Sequence, residues 1–246
     1  MSGHSKWHSI KHKKGALDAK RGKIFTMHAK VISITARNGA DPEMNPALRT
    51  AIDRAKADNV PNANIDRAIK KGAGLDKDAD AYEEVTYEAF GPEGTVFMID
   101  CITDNKNRTF TNLRTLIAKA GGNLGSAGTV AWKFERKGFL SLTAPAEAEL
   151  DIIDAGAEDL SVDEQGHFEI YTAPDSLGQV RDVLIAKGYK PEKEELIWKA
   201  KESMPITDLA TAEKMMKFME KIDDDEDVNH MYTNADIDSS LLSQLG

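Results

Sequence analysis

The apolar residues of this chain change their period once, at the acidic segment GLDKDADA, residues 74–81. Before it they recur at helical spacing; after it they alternate as in strands. From Ala16 to about Arg37, the residues Ile24, Met27, Val31 and Ile34 return every three or four positions, and Phe25 and Ile32 widen the stripe. This predicts a long helix ending at Asn38-Gly39, where glycine supplies a left-handed cap. NPALRTAIDRAKADN predicts a second helix, capped by Asn45, begun by Pro46, with Leu48, Ala51, Ile52 and Ala55 on one face. VPNANIDRAIKKGAG predicts a third, burying Ile65, Ala68 and Ile69 and stopping at Gly72. Three helices close a small domain over residues 1–75, and the acidic segment reads as a linker.

Beyond the linker, YEEVTYEAF, GTVFMIDCIT and TVAWKFE read as strands, with TNLRTLIAKAGG as a helix between the second and third. FLSLT, EAELDIIDAG, DLSVD, HFEIYTA, SLGQVRDVLIAKG and EELIWKAKES then follow in the order βαββαβ, the ferredoxin-like arrangement, over residues 138–203. The remaining helix, TAEKMMKFMEKI, and strand, DVNHMYTNA, have too little apolar surface to fold alone, and the block before residue 138 lacks a closing helix and strand. The tail is therefore expected to return, giving a discontinuous middle domain over residues 80–137 and 204–246. The expected fold class is α+β in three domains: an N-terminal small helical bundle, then two α+β domains, the last ferredoxin-like and inserted into the middle one. Met215, Met216 and Met219 recur at helical spacing and read as core.

Charge is distributed as unevenly as the periodicity. The 246 residues carry a formal net charge of -9, yet the first thirty hold eight Lys and Arg against a single acid. Residues 1–75 contain 15 basic and 6 acidic residues, a surplus of +9, which leaves -18 on the remainder. Such asymmetry points to a polyanion-binding module on an acidic body. No segment approaches the roughly 20 apolar residues that cross a bilayer, and the N-terminus lacks the apolar core of a secretory signal, so a cytoplasmic protein without membrane contact is expected. The single cysteine, Cys101, sits in the apolar run TVFMIDCIT and reads as core, with no disulfide framework.

The opening stretch HSKWHSIKHKKG supplies Lys6, Lys11, Lys13 and Lys14 together with Trp7. Lysines attract phosphates without regard to sequence, and an exposed indole is a platform for a base. Trp7 has an alternative role, pinning the terminus to the helical domain with Ile10. Along the first helix, Lys20, Lys23, Lys30 and Arg37 fall on one edge beside the apolar stripe and extend the basic surface. His4, His8 and His12 recur every four residues, but no acid or cysteine joins them, so they read as a titratable extension of the basic patch and no metal is expected. Lys106, Arg108 and Arg114, around a helix start in DNKNRTFTNLR, form a secondary phosphate-contact candidate. AGGNLGSAGT lacks the ending of a phosphate-binding loop and reads as a turn, DDDEDVN lacks the EF-hand glycine and glutamate and reads as a solvated turn, and Glu83, Glu84 and Glu88 read as strand-surface charges. No catalytic constellation is found, which points away from an enzyme, and no cofactor is expected.

These motifs have a known counterpart. The opening GHSKWHSIKHKKGALDAKRGKIF, the segment DPEMNPALRTAIDRAKADNVPNANIDRAIKKG, and later YEAFGPEGT, DNKNRT and GGNLGSAGTVAW together resemble the YebC/PmpR family over essentially the whole chain. Its eukaryotic members include the mitochondrial translational activator of cytochrome oxidase subunit one. The resemblance implies a three-domain α+β architecture with a helical N-terminal domain, no enzymatic activity, and a role either as a DNA-binding transcriptional regulator or as a factor acting on translating ribosomes. It carries nucleic-acid contact onto Lys6, Trp7, Lys11, Lys13, Lys14, Lys20, Arg21 and Lys23. The expected function is a non-enzymatic, DNA-binding regulator of transcription acting through the basic domain, with the acidic α+β domains presenting a surface for protein partners. The alternative is a ribosome-associated factor contacting ribosomal RNA through the same patch.

Overall fold

A computed structural model describes residues 17–76, 80–238, 240, 241 and 244, with side chains described from Arg21 onward. The helical domain consists of α1 (Leu17–Ala36), α2 (Pro46–Ala57) and α3 (Asn62–Gly72). Asn45 caps α2, its side-chain oxygen accepting from the Leu48 amide at 3.1 Å while its Nδ2 donates to the Thr35 and Gly39 carbonyls. One residue therefore sets both the start of α2 and the path of the chain leaving α1. Ile32, Ala36, Leu48, Ala55 and Ile65 form the core of this bundle.

The third helix ends at Gly72 as expected, but Gly72 is not a left-handed cap. Its backbone stays helical, and a Cβ built there would lie 2.1 Å from the Ser33 carbonyl oxygen. The Ser33 hydroxyl donates to the Ala68 carbonyl at 2.8 Å in the same crossing. Only a residue without a side chain lets α1 and α3 approach so closely.

The middle unit is a four-stranded antiparallel sheet in the order β3-β1-β2-β9. It is built from β1 (Glu83–Phe90), β2 (Val96–Thr103), the two-residue β3 (Asn123–Leu124) and β9 (Val228–Thr233), with α4 (Lys106–Lys119) and α7 (Leu209–Asp223) on one face. Phe97 and Ile99 of β2 meet Leu113 and Ile117 of α4 and Met215, Phe218 and Met219 of α7 in one cluster, with Cys101 beside them. Burial pushes the Cys101 thiol well up from its ordinary range. The tail strand β9 pairs with the interior edge of β2, and a short parallel pair of β8 (Met204–Ile206) with β10 (Ala235–Ile237) lies alongside.

The last unit runs β4 (Phe134–Thr143), α5 (Ala148–Asp154), β5 (Asp159–Val162), β6 (His167–Thr172), α6 (Leu177–Ala186) and β7 (Lys193–Ala200). Its antiparallel sheet has the order β5-β6-β4-β7, the ferredoxin-like topology. TVAWKFE and FLSLT are not two strands. Residues Ala131–Lys133 form a single 3-10 turn, and β4 then runs unbroken from Phe134 through FLSLT. Val130 and Phe134 both point into the apolar layer between the two sheets, where Val96, Met98, Ile197 and Tyr232 also pack. The fold is α+β, a helical region followed by α+β units.

Replacing Gly72 with alanine should overpack the α1–α3 crossing and cost about 1–3 kcal/mol. Denaturant unfolding followed by circular dichroism checks this against Gly22→Ala, a helical position where an added Cβ would meet nothing within 4 Å.

Candidate nucleic-acid interface

The predicted contact residues divide by position along the chain. Lys6, Trp7, Lys11, Lys13 and Lys14 lie outside the described residues, as do His4, His8, His12 and the Lys20 side chain. Arg21 is exposed at the start of α1. Lys23, two residues further on, is partly covered and has its ammonium 3.9 Å from the Asp223 carboxylate.

Lys30 is not on the surface. It is 3% exposed, and its ammonium donates to Asp227 Oδ1 and to the Glu226 carbonyl, each at 2.6 Å. The α1 edge carrying Lys23 and Lys30 faces the turn between α7 and β9. The apolar stripe therefore continues into a docking face, and the lysines beside it are drawn into contacts with that turn. Arg37 also reaches toward the middle unit, donating to the Tyr82 carbonyl.

Asp227 is the centre of this contact. It is 1% exposed and belongs to a segment expected to be a solvated turn. Its Oδ2 accepts from the Thr109 hydroxyl at 2.8 Å and from Arg108 at 3.0 Å, and its main-chain carbonyl accepts from Ile102 of β2 at 2.9 Å. Burial alone would raise its pKa, but the bonds from Lys30, Arg108 and Thr109 outweigh that and hold the carboxyl below the usual range. Arg108 is thus drawn to Asp227 and Asp104, and Lys106 pairs with Glu83 at 2.6 Å. Of the secondary phosphate candidate, only Arg114 stays exposed with no ion pair among the described residues. Asp227 escapes sequence reasoning because its four acidic neighbours are polar and its partners lie 119 and 197 positions away.

Glu88 is a second correction. It is 7% exposed, and its carboxylate accepts from the backbone amides of Gly128 and Val130 at 2.6 Å and Ala131 at 2.9 Å. Burial would raise its pKa, but these amide bonds together hold it low. The end of AGGNLGSAGT, with Val130 and Ala131 after it, therefore closes around an internal carboxylate. The signal was the alternation of Glu84, Thr86 and Glu88 on one face of β1, a face that the second sheet covers near Glu88.

Exposed basic residues without an ion pair occur on the helical domain and on the α+β units, where Arg114, Lys119, Lys190, Lys193, Lys201 and Lys221 are of this kind among the described residues. Arg21 of α1, Arg49 and Lys56 of α2, and Arg67 and Lys70 of α3 are exposed and have no carboxylate within ion-pair distance among the described residues. Lys71 instead lies 3.7 Å from the centre of the Tyr82 ring. Among the described residues, no three His, Cys, Asp or Glu side chains gather in a metal-holding arrangement, and no helix is long and apolar enough to cross a membrane.

Two family profiles match the chain: the TACO1/YebC protein N-terminal domain over residues 5–75, and the TACO1/YebC second and third domain over residues 82–235. A probable transcriptional regulatory protein of Finegoldia magna is 46% identical over 96% of this chain and 99% of its own. Another, from Methylococcus capsulatus, is 46% identical over the full length of both. The crystal structure of a conserved hypothetical protein from Aquifex aeolicus superposes with a TM-score of 0.82 at 40% identity, covering 94% of this chain and 96% of that one.

Asp227→Asn leaves the Lys30 ammonium buried without a counter-charge, and the expected loss is about 3–5 kcal/mol at pH 7. Because the folded pKa of Asp227 is depressed, its contribution is present above about pH 4, the unfolded carboxyl value, and lost as pH falls through the folded value. The stability gap between wild type and Asp227→Asn, measured by urea unfolding, should narrow from pH 7 to pH 3.

Proposed function

We propose that this chain, which belongs to the TACO1/YebC family, is a non-enzymatic regulator of gene expression that grips DNA electrostatically through its helical domain. Relatives of nearly equal length are named probable transcriptional regulatory proteins, and a regulatory role is the coarse reading they support. The observation behind the finer reading is the division between paired and unpaired cations. Lys30 and Arg108 are bound to Asp227, whereas Arg21, Arg49, Lys56, Arg67 and Lys70 remain exposed without carboxylate partners among the described residues. The lysine-rich opening, Lys6 to Lys14 with Trp7, adds four further cations in the sequence ahead of α1.

A phosphate backbone gains most from cations that fixed carboxylates have not already neutralised, because binding then releases its counterions. The formal -18 over the rest of the chain biases the first encounter with a nucleic acid toward the helical domain. In this reading the acidic units present a surface for protein partners, and the protein works in the cytoplasm.

With five or six phosphate contacts, log affinity for duplex DNA should fall against log salt with a slope of roughly -4 to -5. The double variant Lys13→Ala/Lys14→Ala should reduce that slope by nearly two. Fluorescence anisotropy over a salt series reads both, and an unchanged slope removes those two lysines from the interface. Crosslinking in cells followed by sequencing of the attached nucleic acid tests the target. Promoter DNA supports the proposal; ribosomal RNA replaces DNA as the target while leaving the electrostatic grip in place.

A further inference from the structure

We infer that the exposed indole of Trp132, with Lys133 and Lys201 beside it, is a second nucleic-acid contact, one that stacks on an unpaired base of a single strand. The inference rests on the nucleic-acid binding proposed above and adds to it a site outside the helical domain. Trp132 is 65% exposed, ahead of Phe110 at 43%, which makes it the most exposed large aromatic side chain among the described residues. An indole left in water forgoes a large burial gain, and exposed tryptophans concentrate where something else covers them.

Here the ring is also held in place. Val130 at 0% exposure and Phe134 at 3% anchor the chain two residues to either side. The Glu88 carboxylate binds the amides of Gly128, Val130 and Ala131, which fixes the turn leading into Trp132. The indole N–H donates to the Thr129 carbonyl at 3.1 Å, and the Trp132 carbonyl accepts from the Lys201 ammonium at 2.9 Å. A turn tied down by a buried carboxylate and two apolar anchors therefore presents a largely exposed ring. Fixing the ring in advance removes much of the ordering cost that a mobile side chain would incur on binding.

The neighbouring charges indicate the partner. The Lys133 ammonium lies 5.1 Å from the Trp132 ring centre, and Lys201 is bound at the turn's backbone. Neither lysine forms an ion pair among the described residues. A flat π surface with one ammonium over it and a second bound at its own backbone carbonyl suits a base flanked by phosphates. The base must be unpaired, because within a duplex both of its faces are already stacked.

The test uses the full-length chain with a mixed-sequence single-stranded 16-mer, as DNA and as RNA, and the corresponding duplexes, all followed by fluorescence anisotropy. Trp132→Ala should weaken single-strand binding about tenfold and change duplex binding by less than about twofold. Trp132→Phe, which keeps a ring but loses the N–H, should retain most of the affinity, and Lys133→Ala/Lys201→Ala should lower the single-strand salt slope by roughly one. Matching circular dichroism melts guard against a folding defect. If Trp132→Ala binds single strands as wild type does while Lys13→Ala/Lys14→Ala binds weakly, this inference fails and the grip of the helical domain stands. Loss of a protein partner by Trp132→Ala with unchanged single-strand affinity also overturns it. A wild-type chain that ignores single strands and duplexes at low salt overturns both proposals.

Discussion

The contact between Lys30 and Asp227 ties the helical domain to the rest of the molecule. A lysine in the middle of α1 reaches a carboxylate at the start of β9, with both side chains almost fully buried. Isolated, either charge would be costly to remove from water; together, with Arg108, Thr109 and the Glu226 carbonyl completing the set, they are mutually satisfied. The pair also selects geometry. An apolar contact tolerates sliding, whereas an ammonium between one carboxylate oxygen and one carbonyl permits a single register of α1 against the β9 turn.

The clamp sorts the cations of an otherwise uniformly basic segment. Lys23 and Lys30 on the inner edge of α1 are engaged with the acidic turn, whereas Arg49, Lys56, Arg67 and Lys70 of α2 and α3 face solvent. The charge asymmetry visible in the sequence thus becomes a spatial one. An acidic body neutralises part of the basic module where they touch.

The helices and strands were legible because their apolar periods are strong and local. The first helix, expected over Ala16 to about Arg37, is observed at Leu17–Ala36, and Asn45 caps the second as its chemistry demands. The βαββαβ order shows in the apolar patterning, and the closing strand carries an apolar face that only the central sheet can cover. Sequence reasoning failed where burial depends on distant partners. Lys30 sits beside the stripe in helical projection, and nothing local distinguishes an exposed edge from one covered by a turn 197 residues later. Glu88 and Asp227 fail for the same reason: an acid surrounded by polar neighbours looks solvated until its donors are known. TVAWKFE was misread because two inward apolar residues four positions apart fit a 3-10 turn as well as a strand.

The pairing of β9 with β2 has a consequence for biosynthesis. A ribosome delivers the helical bundle and the residues of β4 to β7 as uninterrupted stretches, so each can collapse while translation continues. The central sheet has no such option. The flank of β2 waits, open to strangers, for the 130 or so residues of elongation that separate it from its mate, and an arrest in that interval yields a nascent chain with its stickiest surface uncovered.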